Sequence, residues 1–221
     1  MWEPSYHGGA VETDSRSLDL AFEFPGQPAT PDPALPFVHP LGVCESDRVG
    51  SGTRIWAFAH VLPGAVVGED CNICDGAYVE FGVRIGDRVT VKNQVMLFEG
   101  VTIEDDVFLG PGVMFTNDMN PRAFVKKHGP ELDTTVVRRG ATLGAGVVVV
   151  CGTTIGAYAF VGAGAVVTRD VPAQAFVVGN PARAIGHACR CGRRLPPDLR
   201  CACGLAWQLG DTGLVPTGGL G

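Results

Sequence analysis

The sequence predicts an all-β chain wound as a parallel β-helix of hexapeptide repeats, with one inserted loop and a small cysteine-bearing C-terminal tail. Three observations predict it. An aliphatic or aromatic residue recurs at every sixth position through Val43, Val49, Ile55, Val61, Val67, Ile73, Val79, Ile85, Val91, Leu97, Ile103, Leu109 and Phe115, and again through Val137, Leu143, Val149, Ile155, Val161 and Val167. The residue two before each of these is usually small or β-branched, as at Ala59, Ala65, Cys71, Ala77, Val83, Val89, Ala141, Val147, Ala159 and Ala165. The remaining positions are rich in Gly, Asp and Pro, as in "GED", "GDR" and "PGA".

A helix repeats its apolar face every three or four residues and an open strand alternates with a period of two, so a period of six asks for something else. Residues two apart in an extended segment face the same side, which makes each hexapeptide one short strand with two inward residues. Tight corners take Gly, Asp and Pro because they demand turn conformations with little side chain in the way. Strand and corner at a fixed period describe a parallel β-helix. Three hexapeptides close one triangular coil, so residues eighteen apart stack one rung apart, about 4.8 Å. The phase breaks after Phe115 and resumes at Val137, which marks an insertion over residues 117–134 rather than the end of the coil.

In chain order, residues 1–36 carry no hexad and include the proline-rich "FPGQPATPDPALP"; they are expected to drape on the coil or be disordered. The β-helix domain is expected over 37–186, a cysteine knuckle over 187–206 and a flexible tail over 207–221. With 221 residues, 46% hydrophobic content and 31 glycines, the chain suits one principal domain rich in corners. A formal net charge of -6 argues against a nucleic-acid partner, for which a basic face is expected. The start "MWEPSYHGGAVETD" has neither the basic nor the apolar region of a signal peptide, and the apolar run near residues 147–167 is broken by glycines. No membrane association is expected, and the cytoplasm is the default location.

The strings "FVHP", "RIWAFAHV", "VGEDCNI", "IGDRVTVKN", "EDDVFLGPGVMFTND", "NPRA" and "VVGNPARAIG" resemble the hexapeptide-repeat acyltransferases of left-handed β-helix fold, and among them the nucleotide-linked amino-sugar N-acetyltransferases. The resemblance spans residues 37–187, and the left hand is its implication, since parallel crossovers are in general right-handed. It implies acetyl transfer from acetyl-CoA to the amine of a UDP- or dTDP-linked sugar, in surface polysaccharide or deoxysugar biosynthesis. It also implies a homotrimer with sites between subunits. Where these relatives usually carry His, this chain has Ala57, which leaves the sugar open.

Counting in phase locates candidate chemistry. Asn117 lies at the corner where the insertion leaves the coil, with Glu99 one rung below and Asp118 opening the loop. Asn93 lies at the preceding corner, at most about 20 Å of extended chain from Glu99. One subunit cannot close that gap, whereas a neighbour packed around a threefold axis can. Matched by "VKN" and "FTND", Asn93, Asn117 and Asp118 fall on active-site positions of the resembling enzymes. An ammonium cannot attack a thioester, so the site must take up the neutral amine or its proton and then hold an oxyanion. Glu99 and Asp118 are the carboxylates available for this, and Asn93 and Asn117 can orient the amine. In some relatives the departing CoA sulfur is proposed to receive the proton, with no dedicated base. His128 is read as a solvated loop histidine, and Asp105 and Asp106 as corner residues bonding their own backbone.

On the substrate side stand Trp56, His60, Tyr78 and, in "NPRA", Arg122, which can pair a diphosphate. His60, Tyr78 and Met96 form an outward column leading to the loop corner. For CoA, the late hexads "LGAGVV" and "VGAGAVV" offer Gly144 and Ala163 as corners that a pantetheine arm can approach, although turn geometry alone also explains such residues. Arg169, with Asn180 and Arg183 of "GNPAR", follows the coil's end, where the arginines can meet phosphates.

In the tail, Cys189, Cys191, Cys201 and Cys203 form two Cys-x-Cys-Gly knuckles, a zinc-ribbon-like element in which paired thiolates suit tetrahedral zinc. The single intervening residue departs from the usual two, disulfides and free thiols are the alternatives, and His187 is a possible substitute ligand. Cys44, Cys71, Cys74 and Cys151 fall in hexad positions and are read as packing. Two other functions fit the hexads: a catalytically silent assembly subunit, which has no need of "FTND" and "GNPAR", and a γ-type zinc carbonic anhydrase. The latter needs three converging histidines, for which His39, His60 and His128 are poorly placed.

Overall fold

The computed structural model describes residues 34–210 and 213–217, within a compact unit spanning residues 31–221. Apart from its last three residues, the expected N-terminal extension lies outside the described residues. The coil is built from strands mostly two residues long, such as Arg54–Ile55, His60–Val61 and Val66–Val67, separated by corners. Among the described residues they stack into three sheets of nine, seven and five strands, in which, away from the sheet ends, every third strand in the sequence is a neighbour. All rungs are parallel except the last of the nine-stranded sheet, where Arg183–His187 runs antiparallel to Ala175–Val178. No helix among the described residues is long and apolar enough to cross a membrane.

The register obeys the eighteen-residue rung, pairing His60 with Tyr78, Tyr78 with Met96 and Met96 with Met114. It then jumps to 34 residues, pairing Val101 with Thr135, Phe108 with Thr142 and Met114 with Val148. Sixteen residues are thus extruded between two rungs while the rungs themselves continue. The hexad aliphatics from Ile55 to Val167 and the small residues two before them fill the prism's interior, with Phe115 the largest fully buried side chain. Each buried Leu or Ile contributes about 1.5–3 kcal/mol.

The first coil departs from the predicted phase. Cys44, not Val43, pairs with Val61, seventeen residues on, and Val43 is 47% exposed. Cys44 to Val49 is a five-residue step, so the inward slot moves by one residue and Cys44 packs on the core instead. The aspartates of the five-to-nine-stranded edge also differ from expectation, bonding across rungs rather than locally. Asp105 Oδ1 accepts from the Asp87 N–H one rung below at 3.0 Å, and Asp106 accepts from Arg88 Nε at 2.6 Å and Arg139 Nε at 2.9 Å. The Arg88 hydrogen bond is the chief reason the Asp106 carboxyl lies below its usual range.

At the end of the coil each sheet's terminal strand is covered. Val171 bridges to Ile155, Ala182 N–H donates to Val166 C=O at 2.8 Å, and Arg183–His187 lies along Ala175–Val178. Within the stretch expected as a flexible tail, Trp207–Gly210 and Gly213–Pro216 pair as an antiparallel hairpin. Trp207 is buried with Cys189, Leu195 and Cys201, which gives that stretch a fixed place.

Candidate active site

The loop that leaves after Phe115 is tied at its base. Asp133 N–H donates to Asn117 C=O at 2.9 Å, and Thr135 N–H donates to Gly100 C=O at 3.1 Å as the chain re-enters the coil. Gly100 has φ +93°, and a Cβ there would stand 3.0 Å from the Asp133 carbonyl oxygen, so a side chain would crowd the returning strand. The rung below therefore fixes where the loop closes.

Under this loop lies an open pocket of about 460 Å³. Glu99, Asn117, Asp118 and Arg122, predicted from phase and strings, all line it. So do Glu80, Lys126, Lys127 and His128. Glu80, one residue before the position stacked under Glu99, adds a second carboxylate, its Oε2 accepting the Glu99 N–H at 2.8 Å. His128 is exposed, as expected of a loop histidine, yet it borders the pocket. The pocket is electrostatically two-sided: Glu80 and Glu99 project from the coil, while Arg122, Lys126, Lys127 and His128 come from the loop.

Asp118 Oδ1 accepts from Lys127 Nζ at 2.5 Å and from the Asn120 N–H at 2.8 Å. The Lys127 bond, then the Asn120 amide, hold its carboxyl below the usual range. A carboxylate so stabilised is a fixed negative charge and a weak proton acceptor. Neither Lys127 nor Glu80 was singled out from the sequence. Stepping back one more rung from Glu99 lands on Phe81, so Glu80 falls one position out of phase, and Lys127 sits in the loop, where no period applies.

His60 and Tyr78 form the predicted outward column on the seven-stranded sheet, edge to face with ring centroids 6.0 Å apart. His60 Nε2 meets Glu45 Oε2 at 2.8 Å. Burial, then the Glu80 charge, push the Tyr78 phenol above its usual value, so it stays a neutral donor. Trp56 is not on this column: it precedes it at the nine-to-seven-stranded edge, with its indole N–H donating to Asn72 Oδ1 at 2.6 Å.

Asn93 is exposed on that same edge, away from the loop pocket. Its carbonyl is one step of a ladder of corner hydrogen bonds that continues from Gly112 N–H to Asn93 C=O, Gly146 N–H to Pro111 C=O and Gly164 N–H to Ala145 C=O. Gly144 and Ala163 belong to the same corners, so Asn93 and these two candidates share one edge of the prism. Gly144 has its own reason to be glycine: a Cβ there would stand 2.6 Å from the Ala163 nitrogen. Arg169 and Arg183 flank a separate pocket of about 250 Å³ beyond the last coil, and Asn180, exposed, precedes Pro181 through a cis peptide. In the tail the four cysteine sulfurs lie within 4.8 Å of one another and could hold a metal ion; His187 is not part of the quartet.

Comparison with known proteins agrees with this architecture. The pattern described as bacterial transferase hexapeptide (six repeats) matches residues 48–80 and 134–169. The dTDP-3-amino-3,6-dideoxy-alpha-D-galactopyranose 3-N-acetyltransferase of Aneurinibacillus thermoaerophilus is 49% identical over 178 residues, covering 79% of this chain and 92% of that protein. A mutant perosamine N-acetyltransferase from Caulobacter crescentus, solved with CoA and GDP-perosamine, superposes with a TM-score of 0.52 at 25% identity. That match covers 69% of this chain and 57% of the solved one. The acetyltransferase domain of PglB from Neisseria gonorrhoeae shares the fold at 21% identity and a TM-score of 0.50, over 69% of this chain and 58% of that one. With its eighteen-residue rungs, its single extruded loop and a relative this similar over most of both lengths, the chain belongs to the bacterial hexapeptide-repeat transferase family.

Proposed function

We propose that this chain is an acetyl-CoA-dependent N-acetyltransferase acting on the amino group of a nucleotide-linked amino sugar. The observation that carries the reading is the two-sided pocket under the loop, with carboxylates on the coil and cations on the loop. A nucleotide-linked amino sugar has the matching pattern, a basic amine at one end and an anionic diphosphate at the other. The similarity to a dTDP-amino-sugar N-acetyltransferase makes a dTDP-linked sugar the first substrate to try.

In this reading Glu99, with Glu80 behind it, attracts the ammonium and accepts its first proton, while Asn117 and Asp118 orient the neutral amine. Asp118 keeps its charge against Lys127 and serves position rather than proton transfer. The amine nitrogen attacks the thioester carbonyl carbon, forming a C–N bond and an oxyanion that a corner N–H can hold. Collapse breaks the C–S bond, and the CoA thiolate leaves with the second amine proton, so that an amide and a free thiol result. His60, Tyr78 and Trp56 border the sugar-nucleotide side. Arg122 and Lys126 face the diphosphate.

The acetyl-CoA arm runs along the edge of Asn93, Gly144 and Ala163, with Arg169, Asn180 and Arg183 toward its phosphates. That edge and the loop corner stand at opposite sides of the seven-stranded sheet, so the complete site forms where two chains of a homotrimer meet. Exposed aromatics support such packing: Phe124 on the loop is 84% exposed, Phe58 69% and Phe81 57%. None of the four tail cysteines lines the loop pocket, so the knuckle stands apart from the transfer chemistry.

The test is incubation with acetyl-CoA and a panel of dTDP-, UDP- and GDP-linked amino sugars, followed by mass spectrometry. One sugar gaining a single acetyl group on nitrogen, with release of free CoA thiol, supports the reading. No acetylation of any panel member, together with no binding of acetyl-CoA, favours the silent assembly subunit.

A further inference from the structure

The tail is built twice. In the first knuckle Gly192 N–H donates to Cys189 C=O at 2.8 Å, Cys189 N–H to Arg193 C=O at 2.8 Å, and Leu195 N–H to His187 C=O at 2.8 Å. Twelve residues later the same bonds recur from Gly204 to Cys201 at 3.0 Å, Cys201 to Leu205 at 2.8 Å and Trp207 to Leu199 at 3.0 Å. The bridge between Ala188 and Arg194 returns as that between Arg200 and Ala206. Gly192 and Gly204 close the turns at φ +86° and +93°, where a side chain is disfavoured. Each Cys-x-Cys-Gly is therefore a tight turn offering one buried and one exposed thiol.

The two turns face each other crosswise. Cys189 Sγ lies 3.7 Å from Cys203 Sγ, and Cys191 Sγ lies 3.5 Å from Cys201 Sγ. A disulfide would hold each pair at about 2.05 Å. Thiolates bound about 2.3 Å from one tetrahedral ion stand about 3.8 Å apart, close to the two crosswise spacings, and all four sulfurs lie within 4.8 Å of one another. Four sulfur donors in that arrangement select zinc or iron, and acetyl transfer has no use for a redox ion.

We propose that Cys189, Cys191, Cys201 and Cys203 bind one structural Zn²⁺, and that this ion clamps the second knuckle onto the first at the end of the coil. The first knuckle is already held there. It follows directly from the strand Arg183–His187, Ala188 N–H donates to Gln174 C=O at 2.7 Å, and Arg190, between two ligands, lies 5.0 Å from the Tyr158 ring centroid. The second knuckle has less to hold it. Its backbone hydrogen bonds among the described residues stay within residues 196–217, and it meets the first through a small cluster of four buried side chains, Cys189, Leu195, Cys201 and Trp207, with Leu199, Leu205 and Leu214 packed against them and Arg190 5.6 Å from the Trp207 ring centroid. So small a cluster needs a metal to keep its fold. Binding releases the thiol protons to solvent, and the ion stays tetrahedral with no open position for catalysis.

The test uses the full chain purified without added metal. Elemental analysis is expected to find about one zinc per chain. The Cys201→Ser, Cys203→Ser double variant is expected to lose the zinc and to lose hydrogen-exchange protection in Trp207–Gly210 and Gly213–Pro216, while Ala175–Val178 stays protected. Should that variant aggregate, the same exchange pattern is read on the unaltered protein as a chelator withdraws its zinc. Metal-free protein, whether its tail carries free thiols or two disulfides, overturns the site, as does bound iron. Zinc whose removal leaves the second knuckle protected overturns the clamp.

Discussion

The Asp118 carboxylate lies 2.5 Å from the Lys127 ammonium, nine residues further along the same loop. Both ends of the pair line the pocket, and both side chains are largely shielded from solvent. The ion pair folds the loop back on its own base, so it sets where Arg122 and Lys126 stand relative to Glu99.

Replacing Lys127 by Met keeps the side chain's length and removes the charge. Asp118 then loses its main stabilising partner and its pKa rises toward the ordinary range. An ion pair of this kind, close to solvent, contributes modestly. The Michaelis constant for the nucleotide sugar is expected to rise about fivefold, with that for acetyl-CoA little changed. Steady-state kinetics with each substrate varied in turn check this; an equal rise in both constants would place Lys127 outside the sugar side.

The same pair sets a pH dependence. Asp118 has a folded pKa below its unfolded value, so the pair's contribution is fully present above the unfolded pKa and is lost as pH falls through the depressed folded one. The loop is therefore expected to stay closed through the ordinary carboxylate range near pH 4 and to loosen only below it. Hydrogen exchange at the Asn120 amide, followed against pH, reads this directly. A loosening midpoint at or above about pH 4 would show that the Asp118 pKa is not lowered.

Gly144 tests packing apart from coenzyme contact. A Cβ there meets the Ala163 backbone nitrogen at 2.6 Å, and backbone of the next coil cannot step aside as a flexible side chain can. Gly144→Ala is expected to cost about 1–3 kcal/mol by overpacking. The measurement is thermal or denaturant unfolding with no coenzyme present. A variant as stable as the parent, yet poor in acetyl-CoA binding, would make this glycine a coenzyme contact alone.

The coil was legible because its period is long, strict and chemically monotonous: one inward aliphatic per strand leaves few alternatives. The same arithmetic brought Glu99 beneath Asn117, since a rung is a fixed count of residues. It failed at Val43, where a five-residue step shifts the phase and nothing in the apolar pattern announces it. It was silent about Lys127 and His128, because loop side chains are placed by their own hydrogen bonds and ion pairs, which carry no period. The cysteines were legible as a quartet from spacing alone, but the twelve-residue repeat of backbone bonds around them appears only in the fold.

The placement of Asn93 leads to the prediction that bears most directly on the proposed site. Asn93 shares an edge with Gly144 and Ala163, while Asn117 and Asp118 stand at the loop corner across the seven-stranded sheet. If acetyl transfer needs both edges, each site draws Asn93 from one chain and the loop corner from its neighbour. Asn93→Ala and Asp118→Ala proteins are each expected to lose most activity. Mixed in equal amounts and reassembled, they form heterotrimers in which an interface is intact when the Asp118→Ala chain supplies Asn93 and the Asn93→Ala chain supplies Asp118. Random assembly makes that combination at about one interface in four, so recovery to about a quarter of parental activity is expected. If both residues served a single chain's site, no mixture of the two variants could contain an intact one, and activity would stay at the level of the separate proteins. The readout is acetyl transfer after subunit exchange verified by mass spectrometry of the intact assemblies. No recovery in verified heterotrimers refutes the shared site, and near-parental activity of either single variant returns that residue to a corner turn.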